Sequence, residues 1–395
     1  MSPIYRFENP DPASALPDGP LHGMRVALQS TVSVAGWPTD ADSAALADFT
    51  ALEDATVVQR LRPAGAALTG LTRASEFGFG LHGSQAGEAV RSDAADAELV
   101  LDMMGECRVA AARAGAFGLL PSVGLVSRLG LIPSMERCGL LARSCDTLSA
   151  LLAALAGPDG RDLTLEEAPL PPPAPLPKDG RDVTLGVIPQ ALEELPAAQA
   201  EGFRAALDRL AAAGVTVREL PLPEYNLFGL VHAIIGAVEA SSCAGRYDSV
   251  RYGHRPPGAK DWNEMYLSAR GAAFGTCVKS FLIQGAFFQF ERYAAYENAC
   301  RIRARLVAAV QQLVSAVDAL ALPLADRVPE GATATLAETR APFASTLLAS
   351  VTGQPALALP AAGACGALQL VGSRLSDARL LALGGMLAAL CREGK

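Results

Sequence analysis

The first lysine of this 395-residue chain is Lys178. Before it stand the imidazoles of His22 and His82, the thiols of Cys107, Cys138 and Cys145, and many carboxylates, Asp102 and Glu106 among them. A thiolate attacks an acyl carbon with less activation than a serine needs, so Cys107 is a candidate nucleophile if a base stands beside it. Free cysteine in an apolar chain is more often core, which is the plain reading of the same residue. The eight cysteines form no CxxC and the four histidines have no metal spacing. No GxGxxG follows a strand, so neither a metal nor an organic cofactor is expected.

These groups need elements to hold them. Met24–Leu28 reads as a short apolar strand. Asp54 to Leu61 reads as a helix with Asp54 as its acidic cap, and Gly65 to Leu71 returns to a strand. That alternation implies parallel pairing through right-handed crossovers. A second series follows: a strand at Val183–Ile188, a helix at Ala197–Ala213 and a strand at Val215–Leu220. Tyr293 to Val317 reads as one long helix that leads into the strand Asp318–Pro323. Apolar runs at Pro355–Pro360 and Ala367–Val371 close the sheet, and Asp377–Leu390 caps it as a helix. The fold class expected is α/β: a single domain over 21–390 with a large mixed, mainly parallel sheet flanked by helices on both faces. Residues 1–20 carry five prolines and read as an extended N-terminal arm, and 168–177 as a Pro-rich internal connector.

Composition narrows the class. Half the residues are apolar, as in a globular chain with a sizeable core. A net charge of −8 argues against a nucleic-acid surface, which needs clustered Lys and Arg. The basic, aromatic strip Arg246–Arg255 therefore reads as a surface or subunit contact. The N-terminus lacks a signal peptide's apolar region, and the apolar runs at Thr147–Gly157 and Leu380–Leu390 are too short to span a bilayer. Scattered cysteines suggest reduced thiols in the cytoplasm, with no membrane association.

Several runs carry a family resemblance. Glu239-Ala240-Ser241-Ser242 followed by Arg246 to Arg255, Gly353 to Pro360, and Gly366 to Gly372 are similar to segments of the amidase-signature family, nearest to the A subunits of glutamyl-tRNA(Gln) amidotransferases. Asp54–Leu61, Glu76–Gly80, Gly118–Pro121 and Val126–Leu131 resemble its N-terminal half. The match runs from about Pro20 to about Leu390.

The resemblance implies amide hydrolysis by a serine nucleophile, a bridging serine and a neutral lysine base. Gln29 stands at the lysine position, and glutamine has no titratable nitrogen. The glycine–serine loop that supplies the bridging serine is missing from the stretch between Leu81 and Asp102. Counting back from Gly118 places Glu106 at the nucleophile, while Asp102, Gly105 and Arg108 keep the family's residues. The arginine that holds a substrate carboxylate corresponds to Arg303, and the aspartate that would hold its amino group to Phe343. A catalytically degenerate scaffold subunit is thus expected. Its partners would be amidotransferase B- or C-type subunits, an active A subunit, or further copies of itself. The alternatives are an amidase with Cys107 as replacement nucleophile, and a carboxylate-binding module that uses the vacated cleft.

Overall fold

The computed structural model describes residues 4–14, 16–131, 133–167, 179–193, 195–251, 253, 255–325, 327–328, 335–360 and 367–393. The expected Pro-rich connector lies outside the described residues. One sheet of 11 strands forms the frame. Its strands are β1 (Tyr5–Glu8), β2 (Arg25–Gln29), β3 (Ala67–Thr72), β4 (Ala97–Asp102), β5 (Phe117–Leu120) and β6 (Arg137–Ala142). They continue with β7 (Thr184–Val187), β8 (Thr216–Glu219), β9 (Ala319–Pro323), β10 (Ala356–Leu359) and β11 (Leu368–Val371). Their spatial order is β1-β3-β2-β4-β6-β5-β10-β11-β9-β7-β8.

The helices are α1 (Thr56–Leu61), α2 (Glu88–Arg91), α3 (Glu106–Ala114), α4 (Cys145–Leu155), α5 (Ala197–Ala212) and α6 (Leu227–Cys243). After them come α7 (Trp262–Ala273), α8 (Thr276–Ala286), α9 (Tyr293–Ser315), α10 (Leu336–Arg340), α11 (Leu347–Thr352) and α12 (Asp377–Glu393). Successive strand residues point to opposite faces and so feed two cores. Leu99, Leu119, Leu140 and Leu357 pack with α1, α4, α5 and α12. Val100, Leu120, Leu141 and Ala358 pack with α3, α6, α8 and α9. Helix α4 illustrates the local logic. Ser144 caps it by accepting the Thr147 N–H at 3.1 Å, and Leu148, Leu151, Leu152 and Leu155 put one buried stripe on the sheet.

The expectation of a mainly parallel sheet is corrected. Strands β2–β3, β2–β4, β7–β8 and β7–β9 pair in parallel, whereas the other six pairings are antiparallel. The strand–helix–strand series read from sequence are the parallel ones. The centre differs because β10 and β11 have too few residues between them for the crossover that parallel neighbours require. Asp54 is also not the cap of α1. Ala55 holds that place, and the Asp54 carboxylate instead accepts from Ala35 N–H and Arg62 Nε. Within the segment read as an N-terminal arm, Tyr5–Glu8 forms a strand that pairs with β3 at the sheet edge. Strands β4 to β6 and helices α3, α4 and α6 to α8 were not read as elements from sequence.

One helix, Leu227–Arg246, is long and apolar enough to cross a membrane by length and composition. It contains α6, whose Phe228, Val231, His232 and Ile235 are buried in the core.

Candidate functional site

The turn between β4 and α3 brings the expected nucleophile position into a tight cradle of backbone donors. Glu106, the first residue of α3, curls its side chain back over its own turn. Its Oε2 accepts the N–H groups of Met103 (2.8 Å), Met104 (2.7 Å) and Gly105 (3.0 Å). Its Oε1 accepts the Gly80 N–H at 3.0 Å. Such a cradle at a helix start binds anions, and here the occupant is the chain's own carboxylate. Glu106 is fully buried. Burial and then the Asp102 carboxylate push its carboxyl above the ordinary value, while the backbone donors pull the other way.

The turn is fixed from behind. Arg108 donates to both oxygens of Asp102, at 3.1 and 2.9 Å, and neither residue is exposed. The same guanidinium reaches Thr346 O, Gln369 Oε1 and Ser350 Oγ, so it ties the turn to β11 and α11. Gly105 has φ +144, and a Cβ there would lie 2.3 Å from Thr346 Oγ1, so only glycine fits. Asp102, Gly105 and Arg108 therefore fix the shape of the turn around Glu106.

Gln29 closes β2. Its Oε1 accepts the Leu101 N–H at 2.8 Å, one step beyond the last ladder pair, Leu28 with Leu99. A lysine ammonium has donors only and could not make this bond. The segment from Leu81 to Asp96 holds only the single turn α2. Its one buried serine, Ser84, donates to Arg73 O and accepts from Ala86 N–H, which is turn chemistry.

Beside Gln29, above the strand ends, lies a cavity of about 300 Å³ whose walls include Thr31, Phe77, Leu101, Glu136, Tyr247 and Phe274. The Thr31 hydroxyl is buried without a hydrogen-bond partner among the described residues. None of Gln29, Glu106, Cys107 and Arg303 lines this cavity. Met103, Met104, Phe79 and Phe343 are buried in the cluster that holds α3 and seal Glu106 in.

Cys107 points the other way. It is fully buried, and a Cβ on Gly139 of β6 would stand 2.7 Å from its sulfur. Burial, with a smaller push from Asp102, raises its thiol well above the ordinary value. No histidine is hydrogen-bonded to it among the described residues: His22 Nδ1 lies 3.0 Å from Pro17 O, and His82 Nε2 is unpartnered. The geometry gives Cys107 a packing role.

Arg303 is committed to the protein. Its Nε donates to Val351 O (2.8 Å), and its Nη1 and Nη2 to Ser134 Oγ (2.7 Å) and Ser134 O (3.1 Å). Ser134 Oγ in turn donates to Glu239 Oε1 at 2.7 Å, and burial lifts the Glu239 carboxyl to about 7. Sequence reasoning missed His232, whose Nε2 lies 3.1 Å from Met103 O, directly behind the cradle. Burial pushes its imidazole down to about 4, so it stays neutral. No spacing or motif singles it out. Among the described residues no cluster of three or more His, Cys, Asp or Glu could hold a metal ion.

The profile of the family described as Amidase matches residues 8–90 and 87–381. The glutamyl-tRNA(Gln) amidotransferase A subunit of Natronomonas pharaonis is 33% identical over 407 positions, covering 94% of this chain and 96% of that protein. The protein of the same name from Haloarcula marismortui is 33% identical over 408 positions, with the same two shares covered. Among solved structures, an amidase overlays with a TM-score of 0.77 at 25% identity, covering 98% of this chain and 91% of the other. The glutamyl-tRNA(Gln) amidotransferase A subunit of Thermotoga maritima overlays at 0.75 with 19% identity, covering 97% and 88%. The sequence of motifs, the sheet and these relatives converge, and the chain belongs to the amidase family.

Proposed function

We propose that this chain is a catalytically silent amidase-fold protein that serves as a non-catalytic subunit of an amidotransferase-type assembly. The observation that carries the reading is the Glu106 carboxylate seated in the backbone cradle at the nucleophile position. An amide substrate needs that cradle free for the oxyanion of its transition state, and a filled cradle cannot stabilise developing charge. Two further features support it. Gln29 offers no base, and its carbonyl is occupied by Leu101. The alignment with the Natronomonas protein spans 407 positions, more than the whole chain, so that relative carries residues this chain lacks. The profile match also breaks at 87–90, inside the stretch where the serine loop is missing. Losing members of one catalytic unit is not additive, so the first loss already removes most activity.

Its relatives are named as subunits of a larger enzyme. By that likeness the partners proposed are B- or C-type subunits, an active A subunit, or a second copy of this chain. The proposed compartment is the cytoplasm, and 21–390 is taken as one domain. The test has two arms. Purified protein incubated with glutamine and simple amides is expected to release no ammonia above background. Tagged protein recovered from its own cells is expected to carry amidotransferase subunits. Turnover that Glu106→Gln abolishes would overturn the silent reading.

A second reading, ligand binding in the 300 Å³ cavity beside Gln29, rests on the size of that cavity and its mixed wall, which includes Thr31, Phe77 and Glu136. Its ligand would be largely apolar with one polar group. A saturable thermal shift that Thr31→Val removes would support it.

A further inference from the structure

Helix α8 is apolar on both sides. Its inner residues Val278, Phe281, Leu282 and Gly285 are buried. Gly285 lies so close to α6 that a Cβ on it would stand 2.0 Å from Ala237 O, and this contact fixes which side of the helix looks outward. One π-helical turn, Phe287–Glu291, prolongs α8 without a break, and Arg292 at φ −135 ends it. Along the outward side Ile283, Phe287 and Phe290 follow one another at helical spacing, exposed by 70%, 47% and 75%. Tyr293 stands beside them at the start of α9, exposed by 54%, with its ring 5.8 Å from that of Tyr296.

The outer face of a surface helix ordinarily carries charges. Here no charged residue lies between Lys279 and Glu291. Aromatic side chains without charges among them are the composition of an interface core. The four exposed side chains offer roughly 400 Å², taking about 150–250 Å² for a whole aromatic side chain. That is about half of what each partner brings to a stable interface of standard size, and a polar rim supplies the rest.

The charges at the two ends choose the partner. Lys279 lies at the N-terminal end of the stripe and Glu291 at its C-terminal end, about 18 Å further along the axis. A second copy laid antiparallel about a two-fold axis sets Lys279 against Glu291 at both ends, and Ile283 against Phe287 between them. Parallel stacking would set like charges together. Antiparallel helices also oppose their macrodipoles. A face complementary to itself is what an isologous dimer requires.

We propose that this face joins two copies of the chain, their α8 helices packed antiparallel across a two-fold axis. The proposal deepens the subunit reading by choosing a second copy among the partners named there. It stands apart from catalytic silence, since self-association and ammonia release are measured separately.

Sedimentation equilibrium and light scattering on the purified full chain test it. A dimer is expected at about 10 µM, dissociating on dilution with a Kd in the micromolar range or below. Phe290→Asp is expected to weaken it at least about 30-fold. Lys279→Glu and Glu291→Lys are each expected to weaken it about tenfold through like charges, and the two together to return it to within about threefold of the parent. Leu163→Asp, at an exposed leucine between α4 and β7, is expected to change nothing. Circular dichroism of each variant separates loss of contact from loss of fold. A chain that stays monomeric up to about 100 µM leaves the face to an unlike partner and overturns the proposal. Dimers that survive Phe290→Asp, a double charge exchange no tighter than either single one, or dissociation through Leu163→Asp would overturn it equally.

Discussion

Replacing Glu106 by glutamine keeps its shape and removes only its charge, so it measures what the carboxylate does in the cradle. Four backbone donors converge on it, three on Oε2 and one on Oε1. An amide oxygen can keep the three, and the amide nitrogen must then face the Gly80 N–H. That leaves a buried donor unsatisfied, at about 1–3 kcal/mol, and the three kept bonds weaken by about 1 kcal/mol each as they pass from charge-assisted to neutral. The neutral side chain recovers part of the several kcal/mol that burying an ion costs. The net expectation is a loss of about 2–4 kcal/mol in unfolding free energy, read by urea denaturation. The comparison is made at pH 5 and pH 8. Because the Glu106 titration is raised, the native parent holds the proton more tightly than the unfolded chain, so the loss in Glu106→Gln is expected to shrink as pH rises. A change smaller than about 0.5 kcal/mol, or a gain, would refute the idea that the cradle holds an anion.

Three further outcomes are expected. Burial lifts the Glu98 carboxyl from 4.5 to about 7 against the Thr72 hydroxyl and the Gly87 N–H. The native state therefore holds the proton more tightly than the unfolded chain, and its stability falls as pH rises between those values. The parent should lose about 3 kcal/mol across that window relative to Glu98→Gln, and parallel pH profiles would contradict this. Gly105→Ala forces a Cβ to 2.3 Å from Thr346 Oγ1 at a positive φ. It should cost about 3 kcal/mol or prevent folding, and an unchanged urea midpoint would reject the close approach. Gln29→Lys should restore no amide turnover and should cost about 1–3 kcal/mol, because Leu101 loses its acceptor; measurable turnover would count against the argument.

What could be read from the chain followed the range of the forces concerned. Local periodicity placed β2, α1, β3, α5, β8, α9 and α12, since each carries its own apolar spacing. The direction of the central strands was misjudged in part because β5 meets β10 across more than two hundred positions, Leu120 facing Ala356. Nothing in the run Phe117–Leu120 announces which neighbour it will face. At the site, aligning motifs put Glu106 and Gln29 where the turn and the strand end hold them. The bonds they make were invisible, because backbone N–H groups leave no mark in a sequence. Arg303 was singled out by likeness alone, and its donors are spent on Ser134 and Val351.

The carbonyl of Gln29 has a consequence for descent. Under the proposed silent function, the acceptor at Gln29 knits two strands together, and an amine cannot take its place by a single step without loosening the sheet. Glu106 adds a second latch, since a hydroxyl there would leave the amides of its turn bare. Under that same proposal, reversion demands simultaneous changes, each harmful alone, so selection would hold such a lineage on its path.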